Sequence, residues 1–202
     1  MANSVGMSLE VRPRLFTVEE YARMGELGII GPEEHVQLIE GKIVAMSPQN
    51  PRHAKILVAL TRLLLRTCGE THDVLPQVPL TLGVASEPEP DLALVRLGAV
   101  DAADRHPDRA DLVIEVADSS LPFDRKRKGS LYAKYQLPDY WIINTQAERV
   151  EVRRKPAEHA KAQYGWDYEE VTVLAPGQHV SPLLLPHVTF EVAELLGQRS
   201  TK

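Results

Sequence analysis

Apolar and polar positions follow two periods along this chain, and the switches between them divide it into elements. Over 51–67 the apolar residues Ile56, Leu60, Leu63 and Leu64 fall on one helical face, which predicts an amphipathic helix. Thr17-Val18-Glu19-Glu20 forms a capping box, with Thr17 as N-cap and Glu20 at the third helical position. It opens a short helix to about Met24, and Gly28, Gly31 and Pro32 end it. Apolar runs at 36–39 and 43–46 flank Glu40-Gly41-Lys42 and predict a tight hairpin. Residues 74–82 are strand-like but carry Pro76 and Pro79, which suits a sheet edge. The runs 91–95 and 111–117 predict strands, with a polar loop over 98–109 between them. A basic helix is expected over 124–135, strands over 140–144 and 150–153, and an exposed connection over 156–165. A strand over 169–174, a turn at Gly177 and a terminal helix or helical turn over 190–196 complete the chain. This order predicts an α/β fold, a mixed sheet with flanking helices and an added β-hairpin. No repeat or linker interrupts it, so one domain over 16–197 is expected behind a loose segment at 1–15.

Two acidic residues break the apolar pattern. Glu115 sits inside Leu112-Val113-Ile114-Glu115-Val116-Ala117, a run that reads as a strand buried on both faces. A carboxylate there is costly unless it is paired, hydrogen-bonded or bound to a metal. Asp91 ends Glu-Pro-Glu-Pro-Asp and opens Leu92-Ala93-Leu94-Val95. If the two strands pair, both carboxylates lie within reach of one ion. Hard cations such as Mg2+ or Mn2+ take oxygen ligands, usually one or two carboxylates plus water and substrate phosphate. A structural ion pair at Glu115 and a turn aspartate at Asp91 are the plainer readings of each residue alone.

Basic residues follow at once. Residues 125–134 hold five basic side chains and no acidic one. Lys128, Tyr132 and Tyr135 share a helical face at spacings of four and three, so Lys128 can face the sheet while Arg125 and Arg127 point elsewhere. On composition alone a solvated basic helix is the plainer reading. His53, at a helix start, is a candidate for phosphate contact or proton transfer, against a capping or surface role. Gln77 is a candidate for lining a cleft, against simple alternation on an edge strand.

Composition narrows the function classes. No apolar stretch is long enough to cross a bilayer, so no membrane partner is expected. Residues 1–10 lack a leader pattern, and one cysteine, Cys68, allows neither an internal disulfide nor a cysteine zinc site, so a cytoplasmic location is expected. The histidines show no metal-ligand spacing, and nucleotide-binding and serine-hydrolase motifs are absent. A net charge of -5 argues against a general nucleic-acid coat but leaves room for a local basic patch.

Pro90-Asp91, Ile114-Glu115-Val116-Ala117 and a helical Lys128 followed by Tyr132 resemble the Uma2 (DUF820) group. That group belongs to the restriction-endonuclease-like superfamily of endonucleases with the PD-(D/E)XK motif. Leu38-Ile39-Glu40-Gly41-Lys42-Ile43-Val44, Met46-Ser47-Pro48 with His53, Pro138-Asp139-Tyr140-Trp141-Ile142-Ile143 and Leu183-Leu184-Leu185-Pro186 extend the likeness over roughly 16–196. The resemblance implies a restriction-endonuclease-like core and a Mg2+- or Mn2+-dependent endonuclease acting on DNA. Asp91 and Glu115 would bind the metal, with the Val116 carbonyl as a further ligand. The superfamily lysine would stand at Ala117; in this group it comes from the next helix, which implies Lys128. Glu40 would be an upstream acid, although many members carry their glutamate three residues earlier, where this chain has Gln37. His53, Gln77, Arg125 and Arg127 would be substrate-binding candidates, and a homodimer stays open. Two rivals remain: a non-catalytic module on the same fold that binds nucleic acid or a partner, and a metal-dependent hydrolase of a non-DNA substrate.

Overall fold

The run at 112–117 is the centre of the fold. In the computed structural model, which describes residues 12–46, 48–101 and 105–198, it is strand β5 (Leu112–Ala117), buried at all six positions. Before it come α1 (Val18–Glu26), β1 (Val36–Ile39), β2 (Lys42–Ala45), α2 (Pro51–Cys68), β3 (His72–Pro76) and β4 (Leu92–Arg96). After it come α3 (Leu121–Phe123), a π-turn (Asp124–Lys128), α4 (Gly129–Lys134), β6 (Asp139–Asn144), β7 (Arg149–Glu158), β8 (Trp166–Leu174), β9 (His179–Val180), β10 (Phe190–Glu191) and α5 (Val192–Leu195). Most of the segment expected to be loose, residues 1–11, lies outside the described residues, as do 102–104 of the expected 98–109 loop.

Six strands form one mixed sheet in the order β3-β4-β5-β6-β7-β8. Only β5 and β6 pair in parallel; the other neighbours are antiparallel. A parallel pair needs a crossover, and α3, the π-turn and α4 supply it. They therefore lie on one face of β5. Leu112, Ile114 and Val116 pack on the opposite face with Ile56, Leu60 and Leu64 of α2. Val113 and Ala117 pack with Leu131, Tyr132 and Ala133 of α4. Strand alternation thus turns Glu115 towards α4.

Helix α2 holds because one face is apolar. Each of its buried aliphatic residues, Ile56, Leu57, Leu60, Leu63 and Leu64, contributes about 1.5–3 kcal/mol by burial, more than an isolated helix gains from its own backbone. Asn50 caps it, accepting from the His53 N–H at 2.9 Å. The hairpin β1–β2 forms as expected, with Glu40 and Gly41 at φ 48° and 73° in its turn. A side chain at Gly41 would strike Leu15, so only glycine fits there.

Five expected elements differ. Of the helix or helical turn expected over 190–196, Phe190 and Glu191 instead pair with β9 as strand β10, and only Val192–Leu195 is helical. The strand expected over 74–82 ends at Pro76, where Gln77 turns left-handed at φ 53°. Asp91 precedes β4 rather than lying in it. The 156–165 connection begins later, because β7 runs through Pro156 to Glu158, paired with β8. β6 ends its pairing at Arg154, so beyond that point β7 has a neighbour on one side only, and a proline is tolerated there. The single helix expected over 124–135 contains a π-turn, with Gly129 N–H bonded back to Asp124 O. The α/β fold with a mixed sheet, flanking helices and an added hairpin is otherwise as the sequence predicts.

Candidate active site

Extending the β4–β5 register by one residue sets Asp91 opposite Glu115, because Leu92 faces Ile114. Asp91 Oδ2 accepts from Val116 N–H at 2.7 Å, and Oδ1 meets His53 Nε2 at 2.9 Å. The cap at Asn50 fixes the first turn of α2 and so aims His53 at Asp91; Asn50 itself bonds Asp118. His53 is pulled down by burial, but the Asp91 bond and charge outweigh this and raise its pKa.

Glu115 is 3% exposed and Lys128 5%. Lys128 Nζ donates to Glu115 Oε1 at 2.7 Å and to the Glu89 carbonyl at 3.1 Å. The Tyr132 hydroxyl donates to the same Oε1 at 2.8 Å. Both donors share one oxygen, and among the described residues no hydrogen bond reaches Oε2. Burial pushes the Glu115 carboxyl up to about 8, against the pull of Lys128. Burial would depress Lys128, but the carboxylates of Glu115, Asp124 and Asp91 outweigh it and raise its pKa.

These groups open into one cleft of about 710 Å3, bounded by the hairpin on one side and by 118–128 on the other. Gln37, His53, Gln77, Asp91, Glu115, Arg127 and Lys128 line it. Of the residues read from the sequence, two stand off it. Arg125 forks onto the buried carboxylate of Glu151 on β7, through Nε at 3.0 Å and through Nη2. Glu40 is bonded to Lys134 and to Ser86 Oγ, beside the hairpin turn. The upstream position that does line the cleft is the buried Gln37, whose side-chain oxygen accepts from Glu89 N–H at 3.3 Å.

The sequence reading missed three carboxylates that line the same cleft: Asp118, and the pair Glu89 and Asp124. Burial raises the pKa of Glu89 and Asp124, against the pull of Lys128. Their spacings carry a signal: Glu89 is two residues before Asp91 in an extended segment, and Asp124 is four before Lys128. The π-turn puts Asp124 and Lys128 on its buried side while Arg125, Lys126 and Arg127 face outwards. Ser120 Oγ holds Asp124 at 2.6 Å.

Among the described residues no group of three or more histidine, cysteine, aspartate or glutamate side chains forms a ready-made metal cage. Mg2+ does not need one, since one or two carboxylates with waters suffice. Four carboxylates meet one lysine here, three of them with raised pKa, and among the described residues one oxygen of Glu115 has no hydrogen bond. That donor set and its uncompensated charge fit a hard divalent cation held by Asp91 and Glu115.

A mixed sheet with a parallel β5–β6 crossover, carrying one acid just before β4, another within β5 and a lysine in the crossover, is a restriction-endonuclease-like architecture. The chain belongs to the Uma2 family, described as "Putative restriction endonuclease", whose family model matches residues 18–193. The crystal structure of a "putative nuclease belonging to DUF820" from Anabaena variabilis is similar, with a TM-score of 0.67 and 17% identity over 90% of this chain and 98% of that one. Part of the type IIG restriction endonuclease BpuSI matches at a TM-score of 0.36 and 14% identity, over 55% of this chain and 13% of that one, too little to bear on the fold. No curated protein matches the chain. Among the described residues no helix is long and apolar enough to cross a membrane.

Proposed function

We propose that this protein is a Mg2+- or Mn2+-dependent endonuclease that hydrolyses phosphodiester bonds in DNA at the Asp91–Glu115–Lys128 cleft. The observation that carries the reading is the convergence of Lys128 and Tyr132 on one oxygen of Glu115, beside Asp91, with no hydrogen bond to the other oxygen among the described residues. Asp91 and Glu115 would hold the metal. When bound, it supplies a Lewis acid for the phosphoryl oxygen and lowers the pKa of a coordinated water.

The remaining work belongs to the chain. Lys128 stays cationic because the acids around it raise its pKa against its burial, so its ammonium can orient the attacking water and stabilise charge developing on the phosphate. Tyr132 positions Glu115 by fixing Oε1. His53 holds Asp91 in place and can carry a proton at Nε2. A reducing compartment such as the cytoplasm suits a chain whose single cysteine is buried and free.

The test is a cleavage assay on plasmid and single-stranded DNA with Mg2+ and with Mn2+, beside Asp91→Ala. Metal-dependent cleavage lost in the variant supports the reading. Salt-sensitive DNA binding without cleavage in either metal would make the protein a binding module instead. Neither binding nor cleavage would point to a non-DNA substrate.

A further inference from the structure

The cleft that holds the acids is poorly charged for following a duplex. Five carboxylates line it, Glu89, Asp91, Glu115, Asp118 and Asp124, against two permanent cations, Arg127 and Lys128. Lys128 is already committed to Glu115 and the Glu89 carbonyl. Duplex binding draws its affinity from many lysine and arginine contacts to phosphates. One free guanidinium does not make such a track. A volume of about 710 Å3 is in the range of a small-ligand pocket, roughly 300–1,000 Å3.

The other lining groups suit a nucleobase. Phe123 is partly exposed in the wall, and the Arg127 guanidinium lies 5.8 Å from its ring centroid. Arg127 makes no ion pair among the described residues. Val44 and Met46 of the hairpin side are apolar cleft-lining residues too. Gln37 and Gln77 are two of the amides in the lining. Gln37 uses its oxygen on Glu89 N–H and keeps its NH2 group. Gln77 sits at a left-handed φ of 53°, a strained backbone for glutamine, with its side chain in the cleft and no hydrogen bond to it among the described residues. Aromatic and apolar faces with free amides are the means by which unstacked bases are held and read.

We infer that the substrate is single-stranded nucleic acid, or a strand with an unpaired base, whose base stacks on Phe123 while Arg127 contacts its phosphate. This rests on the nucleic-acid reading above and names the form of the substrate. Phe123 would be a specificity-determining residue, and Gln37 and Gln77 would meet the base edge.

The test uses a short single-stranded oligodeoxynucleotide carrying one 2-aminopurine, without metal, beside the duplex of the same sequence. The expected result is quenched 2-aminopurine fluorescence on binding and weaker binding of the duplex. Phe123→Ala should weaken single-strand binding about tenfold, as loss of one base stack would. Phe123→Trp should restore both affinity and quenching, which separates stacking from a folding defect. In cleavage, Phe123→Ala should raise KM more than it lowers kcat. Duplex binding tighter than single-strand binding, or Phe123→Ala binding as the parent does, would overturn this inference while leaving metal-dependent cleavage standing. Quenching without any cleavage would instead remove the nuclease reading and keep the base site.

Discussion

Lys128 shows how far single residues carry the chemistry. A lysine this buried persists because its charge is matched; removing a partner from such a pair leaves a costly charge behind. Lys128→Ala should lower cleavage by ~10^2-fold or more, while the exposed Lys126→Ala should change it little. Equal losses would mean a diffuse basic patch. The neighbouring Arg125 behaves differently from a substrate-binding residue, because its fork neutralises Glu151, itself 3% exposed. Arg125→Ala should therefore lower the Tm and leave oligonucleotide affinity nearly unchanged, whereas Arg127→Ala should do the reverse; thermal melts beside binding titrations would distinguish them. The acids also set a pH dependence. Glu115 is raised from 4.5 to about 8 by burial, so between those values the folded chain holds a proton that the unfolded chain releases. Stability should fall as pH rises through that window. His53, raised chiefly by Asp91 against its burial, adds stability present below its unfolded pKa and lost as pH rises through the folded one, which has the same sign. The metal-free protein should melt higher at about pH 6 than at about pH 8.5, and Glu115→Gln should flatten that difference. A profile unchanged in this variant would mean that Glu115 is ordinary.

Elements set the aim of these residues. The π-turn adds one residue to a helical turn, and so buries Asp124 and Lys128 together while Arg125, Lys126 and Arg127 remain exposed, Arg125 reaching Glu151 and Arg127 the cleft. At the start of α2, Asn50 joins three things: the N-cap, the orientation of His53 and the bond to Asp118. Asn50→Ala should cost about 1 kcal/mol, a typical cap loss, or roughly 2–4 °C in Tm for a chain of this size. It should also weaken cleavage if His53 matters where it stands. A Tm loss with intact cleavage would separate the cap from the site.

For the molecule as a unit, metal and folding are linked. Mn2+ should raise the Tm by mass action, by an amount equal to about 2.7 kcal/mol at one hundred times Kd. Asp91→Ala and Glu115→Ala should each lose the shift, and an unchanged shift in both would remove them as ligands. The net charge of -5 and the acidic cleft also mean that affinity for nucleic acid should fall only gently with salt, since few phosphates can be neutralised. A steep salt dependence would place the binding surface elsewhere.

The sequence alone determined the residues that conflict with their local pattern. Glu115 within an apolar run, Asp91 opening another, and Lys128 in register with Tyr132 were legible because burying a charge needs a reason that composition does not supply. The sheet centre, the hairpin at Gly41 and the apolar face of α2 were legible because their periods are local. Tertiary structure decided what local pattern cannot encode: that Gln37, and not Glu40, faces the cleft; that Arg125 belongs to Glu151; that Pro156 continues a strand; and that Asp124 turns inwards. The first three depend on a neighbour distant in sequence, and the last on a π-turn that helical periodicity does not announce. Glu40 meets Lys134, 94 positions away, and Arg125 meets Glu151, 26 away. Pro156 fits only because β6 stops short of it. The long-range choices are set by which surfaces pack together and how strands align, and no short window of sequence contains both partners.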